Sequence, residues 1–442
     1  MEISLKYGTT SASCHLPDRA LLGVLRPNRE ITGVSGPEEV RRSMADPIGA
    51  KPLGQLVRPG MKVAVITSDI TRPVPSHVIL PEVLDELRAA GIESKDITVV
   101  FALGSHRPQT EAEKRALVGD RIYSEYRCLD HDPEDCVPLG YTANGTPIEV
   151  FRPVVEADFR VCVGNIEYHY FAGYSGGYKA IVPGVCTPAA IQKNHSKMTE
   201  AGALAGNLDG NPVREDLESA FPLCPADFIV NVILNSKKEI IHCVSGHYIQ
   251  AHREGCRYID NLNKIPVAEK ADIVLVSAGG YPKDINMYQA QKALDNAKHA
   301  VRDGGIVVWA AECGEGFGQP VFESWMVEYE KADPAEKIRQ EFRLGGHKAA
   351  MIALVLRRAK VFLVSAMDPE VIKKTGITPY PDIDLALKDA LAMMGPDAKV
   401  LVMPNGGSTL PYVAEDEQYI RESPVADEIE FKGGYLCRKQ EH

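Results

Sequence analysis

Short runs of β-branched and apolar residues recur along this chain, each followed by a polar loop and then by helical apolar spacing. That alternation is the strongest constraint on what the chain can fold into. Lys62-Val-Ala-Val-Ile-Thr67, Asp96-Ile-Thr-Val-Val-Phe101 and Phe159-Arg-Val-Cys-Val163 read as buried strands. Val78 to Ala90 carries a helical period closed by Gly91. The pattern resumes with Ile273 to Val276, Ile306 to Trp309, Val361 to Val364 and Val400 to Met403. Strands alternating with helical lengths predict parallel sheets covered by helices on both faces. The expected fold class is α/β: two α/β domains with largely parallel sheets and a cleft between them. The first sixty residues read as β-rich with Pro and Gly turns. The polar stretch Asn261 to Lys270 is the expected boundary, giving an N-terminal domain of 1–268 and a C-terminal domain of 269–409. The tail, 410–442, is expected to pack back on the first domain.

Composition narrows the partners. The 442 residues are 45% hydrophobic and 25% charged, an ordinary globular balance that fills sizeable cores. A net charge of −11 argues against a nucleic-acid backbone as partner. The ten cysteines contain no C-x-x-C pair and several sit in apolar runs, as reduced buried thiols of a cytoplasmic protein do. The N-terminus has no basic region followed by an apolar core, and no apolar run approaches the ~18 residues that span a bilayer. The expectation is therefore a cytoplasmic protein with neither a nucleic acid nor a membrane as partner.

In open α/β sheets, ligands bind where the loops cluster at the carboxyl ends of the strands. Four unusual loops fall there: Ser68-Asp-Ile-Thr-Arg-Pro73, Gly104-Ser-His-Arg-Pro108, the segment from Gly164 to Gly184, and Gly279 to Asn286. In the third, Gly173, Gly176 and Gly177 permit positive φ or close backbone approach, and their amides are candidates to cradle an anion. His169 and Lys179 bracket this loop. A lysine beside glycines is ordinarily solvated or pairs a phosphate, and anchors a cofactor covalently only where something specific demands it. His106, His169 and His195 lie in or near loops without H-x-H or H-E-x-x-H spacing, so a sequence-local zinc site has little support. Two histidines flanking one substrate would suit proton traffic with either enantiomer. Arg72, held extended before Pro73, and Lys292 are candidates for a carboxylate. Tyr288 and Gln289 share a helical face with Lys292, a pattern equally typical of a solvated helix.

Together these stretches resemble the nickel-pincer lactate racemase family. The segments that carry the resemblance are Ser68 to Pro73, Gly104 to His106, Ile166 to Gly184, Asn194-His195, and Pro282 to Lys292, in family order and across most of the chain. The resemblance implies a nickel-pincer nucleotide, a pyridinium mononucleotide with two sulfur-containing arms, tethered to Lys179 and approached by Gly176 and Gly177. It implies His195 as the remaining nickel ligand, and imidazole is a reasonable donor to Ni(II). It implies His106 and His169 as the acid–base pair, Arg72, Lys292, Gln289 and Tyr288 as substrate contacts, and Asp69 as a support for Arg72 or a histidine.

The implied reaction inverts C2 of a small 2-hydroxy carboxylate. One histidine takes the hydroxyl proton, the C2 hydrogen leaves as hydride, and the planar 2-keto acid turns before hydride returns to its other face. This route avoids a carbanion beside a carboxylate, which explains the need for a hydride-accepting cofactor. Cofactor-maturation enzymes are the implied partners. Tyr168 and Tyr178 stand where the family commonly has Pro and a smaller or basic residue, a change expected to reshape the pocket. The substrate therefore stays open among lactate, malate, a hydroxyglutarate and an aldonate. Competing readings are a sugar-acid C2 epimerase with the same cofactor, a zinc hydrolase built on His106, His169 and His195, and an anion- or cofactor-carrying protein.

Overall fold

The computed structural model describes residues 1–26, 31–413, and the backbone of 429–432 and 435–438. The chain divides into two compact units, Arg29–Asn261 and Met1–Asn28 with Leu262–His442. Each is an α/β unit built on one six-stranded sheet.

In the unit Arg29–Asn261 the strands lie in the order Ile240–Gly246, Phe228–Leu234, Phe159–Asn165, Val63–Ser68, Ile97–Ala102, Arg127–Asp130. All neighbours are parallel except the first pair, so one edge is antiparallel. Val63 to Thr67 are buried on both faces, the environment that parallel strands require and the reason this stretch lacks alternation. The helix Ser76–Ala89 buries Ile79, Leu80, Val83, Leu84 and Leu87 against the sheet. The apolar period read from residue 78 thus marks a real face, with the start moved two residues back. The expectation of β structure through residue 60 ends early. Gly36–Ala45 is helical, with Pro37 at its start, Glu38 and Glu39 in its first turn, and Val40 and Met44 buried one turn apart.

The other unit carries the order Thr378–Tyr380, Lys360–Val364, Val301–Ala310, Ala271–Ser277, Val400–Met403, Leu21–Val24, parallel throughout. The division departs from the sequence expectation of 1–268 and 269–409. Leu21–Val24 pairs with Val400–Met403, and Ile3, Leu5, Cys14, Leu16 and Ala20 lie in one apolar cluster with Ile273, Leu275, Val308 and Val402. Local patterning reveals that a segment is a strand but not which sheet it joins, because the pairing spans almost the whole chain. The described start of the tail, Leu410–Val413, pairs with Lys264–Val267, residues that the expectation placed at the end of the first domain and that belong to this unit. Residues 414–428, 433–434 and 439–442 of the tail lie outside the described residues. Among the described residues no helix is long and apolar enough to cross a membrane.

This assignment has a direct test. Leu16 is fully buried, so Leu16→Ala should cost about 2–5 kcal/mol, the range for emptying a buried leucine site. In hydrogen exchange the loss should appear in Ala271–Ser277 and Val400–Met403 while Val63–Ser68 and Phe159–Asn165 keep their protection. Faster exchange in the latter pair alone would contradict the division.

Candidate active site

The parallel strands of the unit Arg29–Asn261 end in loops that enclose a cleft of about 900 Å³, counting space open to solvent. Asp69 and Arg72 enter from the end of Val63–Ser68, His106 from the end of Ile97–Ala102, and His169 from beyond Phe159–Asn165. Gly176, Gly177 and Lys179 come from the following loop, and His195 from the last turn of the helix Pro188–His195. Eight of the residues singled out from the sequence therefore line one cavity.

Asp69 is buried and holds His106: its Oδ2 lies 2.9 Å from His106 Nδ1. Its other oxygen accepts from the Thr71 hydroxyl at 3.0 Å. A carboxylate at Nδ1 draws the ring proton to that nitrogen and leaves Nε2 as an acceptor. The loop is braced from outside the cleft. Ile70 N–H donates to Gln109 Oε1 at 2.8 Å, and Gln109 donates through its backbone and side-chain nitrogens to Asp130. Asp69 thus orients a histidine, one of the two roles open to it from sequence. Arg72 is exposed at the rim, its N–H closing a turn on Asp69 O.

His169 sits on a two-residue strand, Tyr168–His169, paired with Gly173–Tyr174. Burial, and then the nearby charges of Lys179 and Arg72, push its pKa well below the ordinary histidine value, so the ring is held neutral. Its Nδ1 accepts from Ala172 N–H at 3.3 Å. Lys179 is half-buried on the 3-10 turn Gly177–Ala180, its Nζ 5.9 Å from the centre of the Phe171 ring. Burial, followed by the charges of Arg214 and Arg72, lowers its pKa well below the usual lysine value. A lysine amine biased toward its neutral form in this way can act as a nucleophile and not merely as a counter-ion. His195 packs edge-on against Phe171, ring centres 4.9 Å apart. The end of its helix is fixed by Asn194, whose Nδ2 donates to the buried Asp216 carboxylate at 2.9 Å. Thr142 and Thr146 donate to the same carboxylate at 2.7 Å each.

The two central glycines adopt the positive φ expected of them, and the close approach they permit is to protein groups. Gly176 and Gly177 have φ of 72° and 61°. A Cβ on Gly176 would stand 2.7 Å from Asn231 Oδ1, and one on Gly177 would stand 2.8 Å from the His252 ring. Gly177 N–H donates to Asn231 Oδ1 at 2.7 Å, so this amide is committed to the scaffold and does not cradle an anion. Tyr168 and Tyr178 are not among the residues that line the cavity. The Tyr168 hydroxyl donates to Asp260 at 2.9 Å and that of Tyr178 to Cys224 O at 2.7 Å. Tyr288, Gln289 and Lys292 belong to the helix Met287–Ala297 of the other unit. Asn286 caps it by accepting from Gln289 N–H at 3.0 Å, and Gln289 and Lys292 are exposed along it.

Sequence reading missed several residues behind the cavity. Asn231 is the one polar residue in the strand Phe228–Leu234, a signal that it has a buried partner. Asn211 and Arg214 are fully buried beside the His169 hairpin, and the Asn211-Pro212 pair does announce a helix start. His252 Nε2 bonds Ser175 O at 2.8 Å and had no local signature at all. Among the described residues no three His, Cys, Asp or Glu side chains are grouped as a metal-binding set. The three-histidine zinc hydrolase therefore lacks its ligand cluster.

Family models match both parts of the chain: "Lactate racemase N-terminal domain" over residues 7–206 and "Lactate racemase C-terminal domain" over residues 267–410. The lactate racemase of Thermoanaerobacterium thermosaccharolyticum is 35% identical over 421 residues, 92% of this chain and 98% of that protein. That of Lactiplantibacillus plantarum is 32% identical over 419 residues, 91% of this chain and 98% of that one. The solved apoprotein of the Thermoanaerobacterium thermosaccharolyticum lactate racemase superposes with a TM-score of 0.83 at 34% identity, covering 93% of this chain and 100% of that one. A Thermotoga maritima protein, at 18% identity and a TM-score of 0.60, covers 87% and 100% and shares the fold.

The lowered pKa of Lys179 predicts selective chemistry on the unmodified protein. Under trace acetic anhydride, Lys179 should acylate with a midpoint below that of exposed lysines, read by peptide mass spectrometry. In denaturant its midpoint should rise to the ordinary value near ~10.4. Equal midpoints in the folded protein would refute the buried, uncharged amine.

Proposed function

Because the chain belongs to the lactate racemase family of isomerases, we propose that it inverts C2 of a small 2-hydroxy acid at the cavity that His106, His169 and Lys179 line. The observation that carries this reading is the pairing of unlike groups in one cleft: a carboxylate-held histidine, a second histidine kept neutral, and a lysine with a depressed pKa.

The residues present fit a nickel-pincer nucleotide. Lys179 would hold it as the covalent tether, its buried amine being nucleophilic without a separate base, and His195 would supply imidazole to the metal. Arg72 and Arg214 set a positive potential that suits an anionic cofactor and substrate. When bound, this group supplies a reversible acceptor for the C2 hydrogen as hydride. Gly176 and Gly177 serve it indirectly, by letting the Lys179 turn close against Asn231 and His252.

The chain's own residues do the rest. Arg72, exposed at the rim, binds the substrate carboxylate in its fork. His106 Nε2 takes the hydroxyl proton, and the Asp69 carboxylate stabilises the imidazolium that forms. His169 Nε2–H hydrogen-bonds the substrate oxygen in its second position, after the planar keto acid has turned, and the proton held by the His106 imidazolium returns to that oxygen as the C2–H bond re-forms. The neutral state of His169 keeps it from competing with Arg72 for the substrate carboxylate.

The test is made on protein co-produced with cofactor-building enzymes. Lys179 should carry a mass increment together with nickel, and the protein should racemise a 2-hydroxy acid measured by chiral chromatography. His106→Gln should lower kcat by about 10²–10⁴, the usual worth of a general base, while leaving the increment in place. Unmodified Lys179 in well-folded, nickel-supplied protein would overturn the tethered-cofactor reading.

A further inference from the structure

We propose that Asn211 and Arg214, in the first turn of the helix Pro212–Glu218, are positioning residues that fix the ring orientation and tautomer of His169. The inference rests on the reading of His169 as the group that serves the substrate oxygen, and it begins from a weakness of the hairpin. Two paired residues a side cannot by themselves hold a catalytic ring, since isolated short hairpins are marginal in water. The hairpin must be gripped from outside.

The grip falls on the turn. Asn211 Nδ2 donates to Phe171 O at 3.0 Å. The N–H on the other end of that same peptide is Ala172 N–H, the donor to His169 Nδ1. A peptide group is planar and stiff, so one rigid unit connects the Asn211 amide to the imidazole. Arg214 secures the neighbouring peptides: Nε donates to Ala172 O at 3.2 Å and its terminal nitrogen to Tyr174 O. On the far side the hydroxyls of Tyr168 and Tyr174 both donate to Asp260 Oδ1, at 2.9 and 2.6 Å.

With Nδ1 accepting, the neutral ring carries its proton on Nε2. The two histidines are thus set oppositely. His106 keeps its proton on Nδ1, toward Asp69, and offers a lone pair at Nε2; His169 offers an N–H at Nε2. Protonating His169 at Nδ1 would break the Ala172 bond, so the grip favours a neutral hydrogen-bond donor to the substrate's oxygen over an imidazolium.

A cap alone does not require this arrangement. Asn211 caps the helix through Oδ1, which accepts from Val213 and Arg214 N–H at 3.1 Å each, whereas the bridge to Phe171 uses Nδ2. The two jobs are separable, and Ser performs the first as well as Asn. Arg214 is also replaceable without stranding its partner. Glu218 keeps both of its oxygens on Arg253, at 2.8 and 2.7 Å.

The full-length protein, without cofactor and selectively labelled with nitrogen-15 histidine, provides the readout. Long-range proton–nitrogen spectra at mildly alkaline pH should show His169 with a pyridine-like Nδ1 and a protonated Nε2, assigned by loss of the signals in His169→Gln. Asn211→Ser should retain its melting curve but average the two nitrogen signals as the other tautomer becomes populated. Arg214→Lys, which keeps a charge but cannot span two carbonyls, should do the same and carries the test should the first variant fail to fold. In cofactor-loaded protein each should lower kcat about tenfold or more, with KM changed less than about twofold. A protonated Nδ1 in the parent protein, or a parent-like pattern in both variants, would overturn the proposal, as would a fall in kcat without any change in the nitrogen signals. Loaded parent protein that racemises nothing would sink the functional reading, while the nitrogen spectra would still decide the positioning claim.

Discussion

Strands buried on both faces can satisfy their amides only sideways, by lying in register with neighbouring strands. In the unit Arg29–Asn261 that requirement aligns Val63–Ser68, Ile97–Ala102 and Phe159–Asn165 so that their carboxyl ends share one edge of the sheet. Everything at the site follows from that edge. Asp69 and His106 lie far apart in sequence, yet they meet at 2.9 Å because their strands are hydrogen-bonded neighbours. The geometry of the pair is set by backbone registration, with Gln109 and Asp130 tying the two loops together behind it.

A second layer of order is electrostatic. Lys179 and His169 are both driven toward their neutral forms by burial and by a shared set of guanidinium charges. Arg214 can stay charged in a fully buried place because the Glu218 carboxylate, shared with Arg253, compensates it and backbone carbonyls accept its N–H groups. The cavity is therefore positive through residues that never titrate, while the residues expected to react are kept uncharged. That separation between field-setting and reacting groups is what pre-organised polar sites achieve in general.

Much of this was legible in the sequence. Seven of the parallel strands could be read from short apolar runs, since a strand buried on both faces shows its β-branched composition without help from its neighbours. The reactive side chains were legible too, because they sit in loops where glycine, proline and histidine cluster for no structural reason. What stayed hidden depends on pairs distant in sequence. Nothing local assigns Leu21–Val24 to the sheet that holds Val400–Met403. Nor does anything local tell that Gly176 and Gly177 are glycines because Asn231 and His252 stand where a side chain would go. The departure at Tyr168 and Tyr178 misled in the same way: the hydroxyls face Asp260 and Cys224, so their identity speaks of the frame and not of the substrate.

The sharing of one sheet between the first and last parts of the chain also has a consequence in time. A ribosome makes Leu21–Val24 well before its neighbour Val400–Met403. At roughly 5–20 residues per second the first strand waits on the order of 20–80 s for its partner. The unit Arg29–Asn261 can close during that interval, whereas the hairpin that carries Ile3, Leu5 and Leu16 lacks its apolar partners until the strands up to Val400–Met403 have emerged.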